Sequence, residues 1–542
     1  MDGAGRRALS PGGHANKSLS LNTKMNKLIK DDFTTKVPRL PGRVLWAMVL
    51  ATFIGPPSAS TQAQTSGNAA TKLRVVPWPR SLEGRPGGLT LGPDARIVVP
   101  AASLVPLSQV LAAEVEALFH RKLSCVETAA TRPGDILLEI EPGLKKEEYR
   151  LEVTDRVQIA GGSYAATAAG TASLLQALTL QGAALVLPAM TIDDAPQAAY
   201  RGLMVDVARY WHSVKTLQQC VLLCRWYKLN YLQLHLTDDQ SFTFPSRAFP
   251  KLATPGRHYT LEQLRDLERY AADRGVVIVP ELDVPGHSGT AIQAMPEVFA
   301  TKHGDHSTMN FVRPEACRAV DTLIGELLEV FGSTPYFHLG ADECNIDGLK
   351  REPEFQEAMK KLGVTDVQEL YRDFLVERNR AVKRLGKRMI VWEGFSRGGK
   401  VDVPRDILVM VFESSYYRPD WLVQDGYTAI NASWQPLYVV TCPSIGGWTP
   451  AHIFTWNMYR WEHWQYFRPS FNPIQLKPDA PVLGAQMCSW QQPENFEIES
   501  LRLRLASMSE RVWNPAAGRN FADFSQRLES TDAAFSRLLQ DR

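Results

Sequence analysis

The chain has 542 residues, of which 44% are hydrophobic and 22% charged, with a formal net charge of +2 at pH 7. This length exceeds one small core, and the near-neutral charge with no long Lys/Arg run argues against a nucleic-acid partner. Nine of the 13 Trp residues lie in the second half, which suits a cleft for flat, partly apolar ligands such as sugar rings as well as a large core.

Residues 1–43 are polar and basic. Val44 to Ile54 is an apolar run of eleven residues, too short to cross a bilayer, and Gly55-Pro56-Pro57 and small residues follow to Ala63. Basic flank, short apolar core and small-residue exit predict a secretory leader over 1–63. Met25 is a candidate start, and cleavage after Ala63 would export the chain to a periplasm or beyond. A single membrane anchor is the weaker alternative, because the run is short.

The seven cysteines are odd in number and contain no CxxC pair. Cys220 and Cys224 fall on one face of a predicted helix among Val221, Leu222 and Leu223, which reads as core. Neither a zinc site nor a disulfide framework is expected.

Residues 64–195 read as a small α+β accessory domain. Leu107–Phe119 is predicted helical behind Pro106, and Thr167–Leu180 has apolar residues at helical spacing. Tyr149–Ile159 alternates apolar and polar side chains, as a half-buried strand or hairpin does. No acidic cluster or Gly-rich phosphate loop occurs there.

From 196 to 542, apolar strand-like runs alternate with helical patterns, the mark of βα units. Strands are predicted at 200–208, 230–236, 276–284, 336–339, 388–395, 407–413, 428–433 and 482–490. The intervening helices include 214–227, 261–274, 314–331 and 367–385, and a last helix covers 497–512. Eight such strands favour a (β/α)8 TIM barrel over an open sheet. Segment 443–481 is irregular.

The predicted strand ends are chemically alike. They carry Asp206 and Arg209, Asp238-Asp239, then Glu281, Asp283 and His287. Asp342-Glu343, Trp392-Glu393, Glu413, Trp434, Tyr438 and Trp490 follow. In a barrel these would converge on one mouth, the C-terminal face where chemistry sits. Each alone has a plainer explanation, as a helix cap, a loop histidine or core. Paired carboxylates with Trp, without metal-ligand spacing or a nucleotide loop, suit glycoside hydrolysis with no metal and no cofactor. Adjacent residues cannot easily flank a bond as independent acid and nucleophile. A division in which one of Asp342 and Glu343 protonates the leaving group and the other steers a neighbouring substrate group fits better.

Over roughly 73–540 the sequence resembles glycoside hydrolase family 20, the β-N-acetylhexosaminidases. The resemblance is carried by YRGLMVDVAR (200–209), LHLTDDQSF (234–242), PELDVPGH (280–287) and HLGADE (338–343). It implies a substrate that is a glycan with a terminal β-linked N-acetylhexosamine, cleaved with retention through an oxazolinium intermediate. It implies Glu343 as general acid/base and Asp342 as the residue that holds the 2-acetamido group. Tyr438 would bind the acetamido oxygen, Trp392 and Trp490 would wall its pocket, and Arg201 would bind the hydroxyls at C3 and C4. Asp238 and His287 would support the acid. Two departures stand out: Val440 and Gln492 occupy positions where the family often has acids that bind the C4 and C6 hydroxyls. These losses leave open a 6-substituted, for example sulfated, sugar, with segment 443–481 as an added wall. Release of a disaccharide and a silent sugar-binding barrel also remain open, and oligomeric state is not legible.

Overall fold

The computed structural model describes residues 73–440, 448–463, 473–517 and 520–540. The predicted leader and parts of segment 443–481 lie outside these.

The first domain is a mixed sheet. Its strands are β1 (Ser81–Leu91), β2 (Arg96–Val99), β3 (Ser124–Glu127), β4 (Ile136–Ile140), β5 (Tyr149–Val153), β6 (Val157–Gly161), β7 (Thr179–Gln181) and β8 (Ala184–Asp194). They run in the order β1-β8-β5-β6-β4-β2-β3, with β7 on β8. The alternating 149–159 segment is an antiparallel hairpin, with Val153 opposite Val157. Helices Val105–Phe119 and Tyr164–Ala177 pack on the sheet. The second starts at Ser163, whose side chain accepts the Ala166 N–H at 3.2 Å and so satisfies one of the open amides of the first turn.

The second domain is a closed parallel barrel. Its staves are β9 (Tyr200–Asp206), β10 (Tyr231–His235), β11 (Val277–Glu281), β12 (Tyr336–His338), β13 (Arg388–Trp392), β14 (Leu408–Val411), β15 (Thr428–Asn431) and β19 (Val482–Trp490). β15 pairs with β19, and β19 with β9, which closes the ring. β16 (Tyr438–Val440) lies against the C-terminal end of β19, and β17 (Arg460–Trp461) and β18 (Ile474–Gln475) form a small ribbon. Register places Asp206 beside His235, His235 beside Glu281, and Glu281 beside His338, so four polar strand ends stand at one level.

Inside the barrel, Met204, Val279, Ile390, Leu408, Met410, Ile430 and Cys488 form an apolar column. Tyr200 stacks on Tyr231 at 4.6 Å between ring centres and Tyr336 tilts against Tyr231 at 5.4 Å, closing the lower end. Outside, helices Val214–Trp226, Leu261–Ala272, Pro314–Val330 and Val367–Arg384 bury their apolar faces.

The two domains meet below the barrel. Arg225 makes a forked contact with Glu114 at 2.9–3.1 Å. Lys228 reaches Asp194 at 3.3 Å, and Trp513 donates its indole N–H to the other oxygen of Asp194 at 2.9 Å. All these side chains are buried, so removing one partner would strand a charge; such pairs fix the docking geometry more than they add net stability. Two helices close the chain. Glu494–Trp513 extends a turn beyond its predicted start, and Phe521–Gln540 packs on helix Val105–Phe119.

Candidate active site

The acidic pair is delivered by a strand that breaks on purpose-built backbone. β12 ends at His338, and Gly340, Ala341 and Glu343 then adopt left-handed φ of 72°, 68° and 43°. The two non-glycine residues hold a conformation that costs roughly 1–3 kcal/mol each, a strain found where function needs it. Gly340 is required: a Cβ there would lie 1.8 Å from Asp283 Oδ1. The chain is pinned by the Ala341 N–H, which donates to Asp283 Oδ1 at 3.1 Å, and by the Tyr371 hydroxyl on the Ala341 carbonyl. These kinks set neighbours in sequence to different tasks. Asp342 is 8% exposed and its Oδ1 is buried with no hydrogen-bond partner, whereas the Glu343 side chain is 35% exposed.

His287 sits between the acids and the wall. Its own φ is 49°, at the end of the 280–287 motif. Nε2 faces Glu343 Oε2 at 3.5 Å and Asp342 Oδ2 at 3.7 Å, and Nδ1 faces Asp238 Oδ1 at 3.4 Å. Burial disfavours its charge, but Asp238 and Asp283 override this and hold it well above the usual imidazole range. Burial likewise works against the Asp238 charge, yet Arg209, His287 and His235 keep it well below the usual range. For Glu343 burial is outweighed by His287 and Arg209, and its pKa is lowered. Burial first, then the neighbouring Glu343, pushes Asp342 up to about 6. Burial first, then Asp342, pushes Asp283 well above the usual carboxylate range. These directions set an imidazolium His287 against a carboxylate Glu343.

An aromatic ring lies beside Asp342. Trp392, Phe412 and Tyr438 are nearly fully buried, and Trp434 and Trp490 are partly so. Trp434 stacks on Tyr438 at 4.6 Å, Tyr438 lies 6.0 Å from Trp490, and Trp490 lies 5.9 Å from Trp392. Such a cage with one orphaned carboxylate oxygen fits a small group that has an N–H and an apolar end. The mouth thus gathers Asp238, His287, Asp342, Glu343, Trp392, Tyr438 and Trp490. Val440 pairs in register with Trp490, and Gln492 follows two residues later and is buried, so the two departures share one rim.

Arg201 is a correction. It is the second residue of β9 and lies at the opposite, N-terminal end of the barrel. Its guanidinium donates to the carbonyls of Lys228 (3.0 Å) and Ala198 (2.6 Å) and to Glu147 (3.0 Å), over Trp513. It seals the domain seam and cannot reach a sugar in the mouth. The arginine at the mouth is Arg209, 3.2 Å from Asp206, 2.6 Å from Asp238 and 4.9 Å above the Trp490 ring. Its place three residues past the end of β9 was the signal: the first arginine of the motif opens the strand, and the second follows its catalytic edge.

Other strand-end acids hold loops. Glu393 is fully buried, and its Oε1 accepts the backbone N–H groups of Glu413 (2.9 Å), Ser414 and Ser415. Asp239 accepts from the Gly289 N–H and the Ser307 hydroxyl, each at 2.9 Å. Among the described residues, three groups bring metal-capable atoms within 4.8 Å: His235-Glu281-Asp283, Asp238-Asp239-His287 and Asp283-His287-Asp342. In each the histidine has carboxylates at both ring nitrogens.

Residues 199–516 match the glycosyl hydrolase family 20 catalytic domain, and residues 72–195 match glycosyl hydrolase family 20, domain 2. A beta-hexosaminidase of Porphyromonas gingivalis is 26% identical over 503 residues, 84% of this chain and 62% of its own length. A beta-hexosaminidase of Vibrio furnissii is 29% identical over 364 residues, 61% of this chain and 59% of its own. The chain thus spans about three fifths of these relatives. The GH20 exo β-N-acetylglucosaminidase of Vibrio harveyi, solved with N-acetylglucosamine, superposes with a TM-score of 0.74 at 25% identity, over 88% of this chain and 79% of that one. With both domain matches in sequence order over a closed barrel, the chain belongs to glycosyl hydrolase family 20.

Proposed function

We propose that the protein is a retaining β-N-acetylhexosaminidase that removes a terminal β-linked N-acetylhexosamine from a glycan with help from the substrate's own acetamido group. The observation that carries this is the buried, unpartnered Asp342 Oδ1 beside the aromatic cage. An acetamido N–H donates to it, and the methyl packs among Trp392, Trp434 and Trp490. Tyr438 donates to the acetamido oxygen and holds it for attack on the anomeric carbon.

As that C–O bond forms, the glycosidic C–O bond breaks. The proton on His287 passes to Glu343, which gives it to the leaving oxygen. Asp342 stabilises the positive charge of the cyclic intermediate. Glu343 then takes a proton from water as the water opens the ring, and configuration is retained. Arg209, anchored by Asp206 and Asp238, presents its remaining donors to sugar hydroxyls. Export through the segment 1–63 is part of this proposal, supported by the leader-like pattern of its sequence.

The experiment is a comparison of an aryl N-acetyl-β-glucosaminide with the aryl β-glucoside. Cleavage of the first alone, with a β-configured product by NMR, supports the reading. Comparable cleavage of both would refute acetamido assistance.

Val440 and Gln492 favour one refinement: the rim tolerates a substituent at C6, including sulfate. Val440 and Gln492 bring no negative charge to the rim, and Gln492 offers an amide donor. Faster turnover of a 6-sulfated aryl N-acetylglucosaminide than of the plain one supports it; equal or slower turnover sinks it.

A further inference from the structure

Behind the acid/base lies a second carboxylate that reaches no substrate. Glu281 ends β11 and is fully buried. Its Oε1 accepts the Trp392 indole N–H at 2.7 Å, and its Oε2 accepts the Gln233 amide at 2.8 Å. The direction of the second bond is set further out. The Tyr200 hydroxyl donates to Gln486 Oε1 at 2.8 Å, so the Gln486 amide donates to Gln233 Oε1 at 3.1 Å, and Gln233 is left to donate to Glu281. Both oxygens accept, and although burial disfavours the charge, His235 and His338 hold Glu281 well below the usual carboxylate range, as a carboxylate.

His235 Nδ1 stands 2.9 Å from Glu281 Oε2, and its Nε2 stands 2.9 Å from Asp238 Oδ2. Burial disfavours a charge on this ring, but Glu281 and Asp238 at these distances hold it well above the usual imidazole range, as an imidazolium. From Glu281 the line runs to His235, Asp238, His287 and Glu343, carboxylate and imidazole in alternation. Asp206 also faces His235, His338 Nδ1 lies 3.2 Å from Glu281 Oε1, and Tyr200 and Cys488 face Glu281 from β9 and β19. Asp283 and Asp342 face His287 from the other side.

We propose that Glu281 is a positioning residue for the reaction, which holds imidazolium His235 against Asp238 and anchors Trp392, so that one buried carboxylate sets both the acid/base and the acetamido wall. The inference rests on the glycosidase reading above. Asp238 has three cationic neighbours: Arg209, His235 and His287. Without the charge of Glu281, His235 becomes neutral and Asp238 loses one of them. Asp238 then grips the His287 proton more strongly, and less of it reaches Glu343. The cost falls on substrates whose leaving groups need a proton, while dinitrophenyl glycosides, which leave unaided, are spared.

The test is the full-length Glu281→Gln variant on dinitrophenyl, nitrophenyl and methylumbelliferyl N-acetyl-β-glucosaminides. The expected loss in kcat/KM is roughly tenfold or more greater for methylumbelliferyl than for dinitrophenyl, and the basic limb of the pH profile moves to higher pH. Trp392→Phe, which removes the indole anchor and trims the acetamido wall while leaving Glu281 in place, raises KM equally for all three. A uniform loss in Glu281→Gln, or none, overturns the inference while wild-type cleavage leaves the glycosidase reading intact. If Glu281→Gln does not fold, His235→Gln keeps a donor to Asp238 without the charge and must show the same leaving-group dependence; a uniform loss there overturns the inference. A wild-type chain that cleaves none of the three overturns both.

Discussion

Asp342→Asn removes a charge and leaves the shape. In the wild type Asp342 is 8% exposed with Oδ1 unpartnered, so it meets the cationic intermediate in a largely water-free pocket. Two unit charges about 4 Å apart at an effective dielectric near 20 interact by about 4 kcal/mol. That stabilisation exists only as charge develops, so it acts on kcat, and about 4 kcal/mol corresponds to about a thousandfold. The asparagine carbonyl still accepts the acetamido N–H, so KM changes little. Steady-state kinetics on an aryl N-acetyl-β-glucosaminide gives both constants. The same variant lacks the ionisation placed at about 6, so its acid limb there disappears. A fall in kcat of less than about tenfold, or a loss confined to KM, would refute the assignment of Asp342 to charge stabilisation.

Wild-type kcat/KM falls as pH drops through about 6, because protonated Asp342 no longer carries the negative charge that stabilises the cationic intermediate; a profile flat to pH 4.5 contradicts this. The two arginines separate function from stability. Arg209→Lys loses the fork to Asp206 and Asp238 and lowers kcat/KM by about tenfold or more. Arg201→Lys breaks the seam contacts and costs about 1–3 kcal/mol in denaturant unfolding with kcat unchanged. Equal kinetic effects of the two would refute their placement at opposite ends. Gly340→Ala forces a Cβ onto Asp283 at a left-handed φ, which costs about 2–4 kcal/mol of stability and abolishes turnover; a fully active, stable variant refutes the tight turn.

The barrel was legible because its staves are short apolar runs between amphipathic helices, and its mouth because acids and Trp residues recur where those runs end. The division between Asp342 and Glu343 was legible only as a problem, since the left-handed φ of Ala341 and Glu343 leaves no mark in a non-glycine sequence. Arg201 was misplaced for a different reason. A motif match carries no direction, and only the position of an arginine along β9 says which end of the barrel it serves. Glu281 was visible as a strand-end acid, but its task comes from cross-strand register with His235, which one strand cannot show. Helix Phe521–Gln540 was legible in principle, because Phe524, Leu528, Phe535 and Leu538 recur at helical spacing; only its docking on helix Val105–Phe119 of the first domain has no local mark.

The most direct measurement is inhibition by a thiazoline mimic of the oxazoline intermediate during cleavage of an aryl N-acetyl-β-glucosaminide. A pocket built to form that intermediate binds the mimic at least about a hundredfold more tightly than it binds N-acetylglucosamine, and Asp342→Asn loses most of that preference. Cleavage that the mimic does not inhibit better than N-acetylglucosamine does would contradict acetamido-assisted catalysis at this site.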